Sequence, residues 1–223
     1  MISYLRNNEV DRERWDACLN EIQAVKPYAL SWYLDIMSPG WEALVDDDYY
    51  AVFPLPRQRK LGISYIATPL FLQQLGLFTA DGDRKRMAEE FISFMPGFCR
   101  LVDLCIGQEA SVPGYRLTPK YNYELKLDDP YEKLWINYMT DCRRNINIAR
   151  RYPQEIVEDP TPGELIALFR THTARRAGVT RESPYRRLRT LMEHCTSSGL
   201  GRILGVRSPK GKLLWGMFVI ETP

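Results

Sequence analysis

Histidine is scarce in this sequence, with only His172 and His194 among 223 residues. Each lies in a stretch that predicts a helix, and neither has an acidic residue four positions further on. Because a general base needs a partner within hydrogen-bond range, both are interpreted as surface or core-edge imidazoles. The chain also lacks a P-loop, a G-x-S-x-G elbow and the C-x-x-C and H-E-x-x-H spacings. The absence of these motifs means that no catalytic residue and no metal ligand can be predicted from them.

Cysteine is sparse and unpatterned. The five cysteines are odd in number and form no C-x-x-C pair. Without a secretory leader at the N-terminus, they are interpreted as reduced thiols, which predicts a cytoplasmic protein. No apolar run approaches the roughly 18 residues that a membrane span requires, so no span is expected.

The charge is small overall but unevenly placed. A formal net charge of +2 argues against a general nucleic-acid binder. The range 141–190 nevertheless holds eleven arginines, no lysine and six acids, an excess of five positive charges. This composition predicts an anionic small molecule or peptide as partner, although a solvated basic surface has the same composition.

The basic range begins with the stretch DCRRNINIARR, at positions 141–151. At 100° per residue, Cys142, Ile146 and Ala149 form a narrow apolar stripe, which predicts a buried seam. Arg143, Asn147 and Arg150 lie beside this stripe. Because guanidinium groups match phosphate and carboxylate in geometry, these three residues are candidate substrate-binding residues. The alternative is a solvated charged face over a core stripe.

The first part of the chain predicts a mixed α/β or α+β unit with a central sheet, ending near residue 127. Its pattern gives a strand, a helix capped by Asp11, a hairpin around three aspartates, a helix from residue 81 and further extended stretches. The basic segment RQRKLG between two of these strands is interpreted as a turn. The ranges 101–106, 112–118 and 122–127 are expected to be extended.

After residue 128 the sequence pattern becomes mainly helical. The range 130–141 predicts a helix that continues into the arginine-rich helix. Thr161-Pro162-Gly163-Glu164 is a capping box with proline at the first helical position. A further helix over 184–197 precedes a hairpin over 202–220. This hairpin either joins the first sheet or opens a second one, and its open edge favours self-association.

Two adjacent amides, Gln73 and Gln74, lie among apolar residues in PLFLQQLGLF. Buried amides need hydrogen-bond partners. They either bond loop backbone or place one amide in a cleft, where it would bind substrate. A second short motif, at positions 175–180, partly imitates the pyrophosphate loop R-x-x-G-x-G/A. Because it follows a helix and not a strand, it is interpreted as a helix end with Gly178 at the cap.

Three segments together resemble a known family. They are SWYLDIMSPGW before a hairpin ending in PLPRQRK, then PLFLQQLGLF, then YNYELKLDDPYEKLWINYMTDCRRNINIARR. The last ends in an R-x-N-I-x-x-A-[KR] run formed by Arg143, Asn145, Ile146, Ala149 and Arg150. In these features the chain resembles the FemAB-type and BioF2-like acyltransferases, which are built from two tandem domains of the GNAT (N-acetyltransferase) fold.

The resemblance implies a GNAT-like mixed sheet flanked by helices over 1–127 and a second GNAT-like lobe over 128–223. It implies transfer of an acyl or aminoacyl group from a thioester or ester donor to an amine. Acyl-CoA or aminoacyl-tRNA would be the donor co-substrate, with no covalently bound cofactor and no metal. Catalysis would come from positioning the substrates and polarising the carbonyl. Nucleic acid is expected only as the acyl donor.

The second lobe departs from the family pattern, because the sequence ends after its first hairpin. In the GNAT fold the donor's pyrophosphate is held by the loop after the fourth strand, so weak donor binding or none is expected from these residues. The alternative function is a non-catalytic module that holds an anionic small molecule or peptide in the cleft between the lobes.

Overall fold

The computed structural model describes residues 1–22, 26–80, 82–152, 155–173, 178–179 and 181–221. Within these ranges the protein is a mixed α/β structure with seven α-helices, one 3₁₀ turn and three small sheets. This confirms the predicted α/β or α+β class. No helix in the described ranges has the length and apolar composition needed to cross a bilayer.

The first sheet is antiparallel, and both of its faces are covered. Its strands, in the order β1-β2-β3-β6, are β1 Ile2–Leu5, β2 Glu42–Asp46, β3 Ala51–Leu55 and β6 Phe78–Thr79. In β2, Ala43 and Val45 pack in one hydrophobic cluster, while Leu44 between them packs in another. Successive side chains point to opposite faces, which explains why all of β3 and most of β2 are buried.

Three helices cover these faces. They are α1 Arg12–Asn20, α2 Ser31–Met37 and α3 Arg84–Ser93, and a 3₁₀ turn at Pro27–Ala29 lies between the first two. Asp11 caps α1 as predicted, because its carboxylate accepts from the backbone N–H groups of Glu13 and Arg14. Trp15 and Leu19 of α1 are fully buried, as the helical pattern predicted.

The expectation of one central sheet is wrong, because a second sheet forms beside the first. Its strands, in the order β4-β5-β7, are β4 Arg57–Lys60, β5 Ile63–Ala67 and β7 Val102–Asp103. The segment RQRKLG is therefore mostly a strand and not a turn. The turn is only Leu61-Gly62, with φ of 50° and 80°, and such a two-residue turn matches the twist of paired strands.

The expected extended ranges after this sheet form little strand. Only two residues of 101–106 pair as β7, and 112–118 and 122–127 have no strand partner. The stretch YNYELKL keeps the alternation of a strand, but its apolar side chains face solvent, with Tyr121 95% exposed. Its polar side chains face the protein, because Asn122 and Glu124 bond to Gln73 and Lys26.

Two helices, α4 Tyr131–Asn137 and α5 Thr140–Ala149, follow this exposed stretch. The predicted continuous helix is interrupted, because Tyr138 and Met139 have extended ψ angles of 140° and 148°. Neither helix has a buried residue. The predicted seam on α5 is therefore wrong: Cys142 and Ala149 are exposed. Ile146, the third residue of the predicted stripe, is only half-buried.

The C-terminal part contains the third sheet and two helices that pack against it. The helices are α6 Pro162–His172 and α7 Glu182–Ser197, and the strands, in the order β10-β9-β8, are β8 Ile156–Val157, β9 Gly201–Arg207 and β10 Leu213–Ile220. The predicted capping box at α6 is confirmed. The final hairpin does not join the first sheet, and β10 lies at an edge of the third. Of the motif at 175–180, only Gly178, with φ of 66°, and Val179 lie within the described residues.

The hydrophobic core crosses residue 127. Leu191 and Cys195 of α7 pack in the same cluster as the residues of α1 and α2. Arg187 of α7 donates to the carbonyl of Met37 at 3.0 Å. Phe71, which has a positive φ of 66°, places its ring 5.7 Å from that of Phe169 on α6. The two halves of the chain are therefore packed directly against each other.

Candidate ligand-binding cleft

A cleft of about 590 Å³ lies beside β6, at the edge of the first sheet. Its floor is apolar and its rim is polar, the combination typical of small-molecule sites. The lining residues are Ile22, Lys26, Tyr28, Gln74, Leu75, Leu77, Phe78, Thr79, Arg84, Gly107, Gln108, Asn122 and Glu124. They come from the chain just after α1, the 3₁₀ turn, β6 and the segment before it, the first residue of α3 and the chain after β7.

Two parallel segments build one wall of the cleft. The Leu75 N–H donates to the Cys105 carbonyl at 2.8 Å, and the Gly107 N–H donates to the Leu75 carbonyl at 3.1 Å. The Gln108 amide extends this pairing, because it donates to the Leu77 carbonyl at 2.6 Å and accepts from the Leu77 N–H at 3.1 Å. Gln108 is therefore a structural clamp on the wall.

A glycine makes this clamp sterically feasible. Gly76 has φ of 115°, and a Cβ there would lie 2.3 Å from Oε1 of Gln108. Any other residue would combine an unfavourable backbone conformation with a clash. The glycine of PLFLQQLGLF thus keeps Leu77 within reach of Gln108.

The two predicted glutamines have different positions. Gln74 lines the cleft, and its amide lies over Gly107, where a Cβ would come within 2.7 Å of its Nε2. Gln73 does not line the cleft. Its amide donates to Oδ1 of Asn122 at 3.0 Å and so holds the exposed stretch against the first unit. Binding of a substrate by either amide stays a prediction.

The charges in the cleft come from Lys26, Arg84 and Glu124. Lys26 lies 2.5 Å from the Glu124 carboxylate. This hydrogen bond raises the pKa of Lys26 and lowers that of Glu124. Burial raises the pKa of the neighbouring Tyr28 hydroxyl. Arg84 has no ion-pair partner among the residues that the structure describes, so the cleft has a net charge of +1 and an unpaired guanidinium.

The arginine-rich face lies outside this cleft. Arg143, Asn147 and Arg150 are not among its lining residues. Arg150 instead contacts aromatic rings of α4: its guanidinium lies 5.1 Å from the centre of the Trp135 ring and donates to the Tyr131 hydroxyl at 3.2 Å. Of the five predicted substrate-binding residues, the structure therefore brings only Gln74 into the lining of the cleft.

The polar rim was not predicted from the sequence. Lys26, Tyr28, Arg84 and Glu124 were all missed. Glu124 could have been found from the sequence, because it is one of the polar residues that alternate with apolar ones in YNYELKL. The alternation places these polar residues together on one face of an extended stretch. Lys26 and Tyr28 come from one short segment around the 3₁₀ turn and Arg84 comes from α3, and no local pattern connects these two segments.

Neither histidine is among the residues that line the cleft. His194 is half-buried and lies 5.0 Å from the Trp32 ring, and His172 is exposed on α6. Within the described ranges, no three His, Cys, Asp or Glu side chains are close enough to share a metal ion. The polar groups of the rim can therefore contribute hydrogen bonds and charge to a ligand.

The fold and the cleft define a mixed α/β protein with a polar cleft at a sheet edge. The chain matches no protein-family model, no curated protein and no solved structure.

Proposed function

We propose that the protein is a GNAT-type N-acyltransferase of the FemAB/BioF2-like kind and that the cleft holds its amine acceptor. One observation carries the proposal. Two of the three segments that resemble this family contribute to the lining of the cleft, through Gln74 from PLFLQQLGLF and Glu124 from YNYELKL. The bond between Gln73 and Asn122 joins the same two segments.

The proposed reaction is the transfer of an acyl or aminoacyl group from a thioester or ester. The acceptor nitrogen attacks the donor carbonyl carbon, so a C–N bond forms and the C–S or C–O bond breaks. The leaving thiol or hydroxyl takes up a proton, and the amide nitrogen loses one to solvent. The contribution of the protein is to position the acceptor nitrogen, which alone accounts for large accelerations.

The charges of the cleft suit an acceptor that bears both an amine and an acid. The guanidinium of Arg84, which has no ion-pair partner in the described ranges, can bind a carboxylate. Glu124 accepts a bond from Lys26 and has further acceptor capacity for an amine. Amino acids and short peptides have this combination of groups.

The direct test is acyl transfer from acetyl-CoA to a panel of amino acids and dipeptides, measured by release of the free thiol. We expect turnover that falls about fivefold in Gln74→Ala, the effect of one neutral hydrogen bond. Gln58→Ala is the matched control, because Gln58 bonds Tyr65 and Ala67 within the second sheet. Equal activity in wild type and Gln74→Ala would contradict the proposed site.

A second variant tests the cleft without removing a polar group. In Gly107→Ala the added methyl would come within 2.7 Å of Nε2 of Gln74, and this flexible amide would move out of the cleft. We expect weaker acceptor binding with little change in the unfolding midpoint. Gly97→Ala is the control, because a Cβ there has no neighbour within 4 Å.

A non-catalytic module that holds an anionic small molecule or peptide in the cleft is the second candidate. The ionisation of the rim favours it: the pKa of Lys26 is raised and that of Glu124 is lowered, so neither side chain is suited to proton transfer at neutral pH. Acceptor binding without thiol release, and no thermal shift with acetyl-CoA, would favour the module.

A further inference from the structure

A second hollow, of about 190 Å³, lies between α6 and α7, away from the cleft. It is lined by Ile166, Arg170, Glu182, Tyr185, Arg186 and Arg189. Three of these six residues are arginines and one is an acid, so the hollow has a formal charge of +2. This concentration of charge is the starting point of the inference.

Arg170 is held in place at one end of the hollow. Its guanidinium donates to both carboxylate oxygens of Glu182, at 3.2 and 2.8 Å. The same guanidinium lies 4.7 Å from the centre of the Tyr185 ring. Tyr185 is itself buried and donates to the Val179 carbonyl at 2.9 Å. The position of Arg170 is therefore fixed before any ligand arrives.

Arg189 lies at the other end, over the first turn of α6. A Cβ built on Gly163 would have Nη2, Nη1 and Cζ of Arg189 at 3.5, 3.7 and 3.8 Å, so the guanidinium packs along the backbone. This position is electrostatically unfavourable, because the N-terminal end of a helix is itself partly positive. The nearby Glu164 carboxylate already bonds Arg207 and Thr161.

Arg186 is the third arginine that lines the hollow. It lies three residues before Arg189 on the same face of α7, where like charges destabilise a helix. Neither the guanidinium of Arg186 nor that of Arg189 has a hydrogen-bond or ion-pair partner within the ranges that the structure describes. The hollow thus contains two guanidiniums without a described partner beside a third, that of Arg170, which is bonded to Glu182.

We propose that this hollow binds the phosphate group of a small phosphate ester. A phosphate dianion has a charge equal and opposite to that of the lining, and its oxygens match the donor geometry of guanidinium groups. The volume corresponds to about six water molecules, which leaves room for one phosphate group. The site shares no residue with the cleft and goes beyond the acyltransferase proposal.

Calorimetric titration at low ionic strength, with inorganic phosphate and with glycerol phosphate, tests the proposal. We expect one binding site in the wild type and at least about tenfold weaker binding in the double variant Arg186→Ala/Arg189→Ala. The double variant Arg186→Lys/Arg189→Lys keeps the charge but loses the forked donors, so its affinity should be intermediate. Tighter binding of glycerol phosphate than of inorganic phosphate would support an ester as the ligand; equal binding would overturn the ester assignment.

Stability measurements separate binding from a structural role. Without phosphate, Arg186→Ala/Arg189→Ala should unfold at the same temperature as wild type or higher, because repulsion is relieved. The control Arg6→Ala/Arg59→Ala removes two exposed positive charges elsewhere and should leave phosphate binding unchanged. No binding to wild type, equal weakening in the control, or a less stable Arg186→Ala/Arg189→Ala protein would each overturn the proposal.

Discussion

The guanidinium of Arg207 lies 2.8 Å from the carboxylate of Glu164 and joins β9 to the first turn of α6. The same carboxylate accepts from the backbone N–H of Thr161 at 2.9 Å, which completes the capping box. Arg207 also bonds Asp159 through its Nε, at 2.9 and 3.0 Å. The Glu164 side chain therefore belongs both to a local helix cap and to a long-range ion pair.

Glu164 predicts a specific dependence of stability on pH. Its bonds to Arg207, and then to Thr161, lower its pKa from 4.5 to about 2. A lowered pKa stabilises the fold above pH 4.5, and this contribution is lost as the pH falls towards 2. We expect Glu164→Gln to reduce the free energy of unfolding by about 1 kcal/mol at neutral pH, since the side chain is partly exposed.

The measurement is urea denaturation of wild type and Glu164→Gln at a series of pH values. The difference between the two proteins should shrink as the pH falls below 4.5. Glu193→Gln, an exposed acid on α7, is the control and should show no such trend. A difference that stays constant with pH would contradict a role for the charge.

The buried tryptophan pair should contribute strongly to stability. Trp15 is fully buried, its ring lies 4.7 Å from that of Trp41, and its indole N–H donates to the Ala29 carbonyl at 2.9 Å. Trp15→Phe leaves a cavity and an unpaired carbonyl, which should cost about 2 kcal/mol in denaturation experiments. Trp215→Phe, with 46% of the residue exposed, should change stability by less than about 0.5 kcal/mol. Similar losses in both variants would contradict this assignment of the core.

Leu61 is a site where a substitution should stabilise the protein. It has φ of 50° and is 93% exposed, so it has an unfavourable backbone conformation and few contacts to lose. Leu61→Asn creates the Asn-Gly pair that such hairpin turns prefer and should add about 0.5 to 1 kcal/mol in thermal or urea unfolding. Leu127→Asn replaces another exposed leucine, one without a positive φ, and should have no such effect.

The face of α5 formed by Arg143, Asn147 and Arg150 is predicted to bind an anionic peptide, independently of the cleft. Arg143→Ala together with Arg150→Ala should lower affinity for an anionic peptide while the melting temperature barely changes. The contacts of Arg150 with Trp135 and Tyr131 are exposed, so their loss should cost about 0.5 kcal/mol. The control Arg144→Ala/Arg151→Ala removes two other charges of the same stretch, one on α5 and one just after its end. A large loss of stability with unchanged peptide binding would show that the face is structural.

Local sequence determined the features that depend on neighbouring residues. Asp11 and the Thr161–Glu164 box begin their helices as predicted, because a cap needs only the backbone of the next three residues. The hairpins around residues 46–48 and 208–211 also form as predicted. Their turn residues and alternating flanks are contained in one short stretch of chain.

Tertiary structure decided which surfaces meet. The helical pattern predicted a buried seam on α5, but burial requires a second surface over that face, and no residue of this helix is buried. Likewise, Gln74 and Glu124 lie 50 positions apart, and long-range contacts such as the pairing of the Leu75 and Gly107 segments and the bond from Gln73 to Asn122 bring them to one cleft. The pattern of a segment shows which face is apolar, whereas the packing of distant segments decides whether that face becomes core or surface.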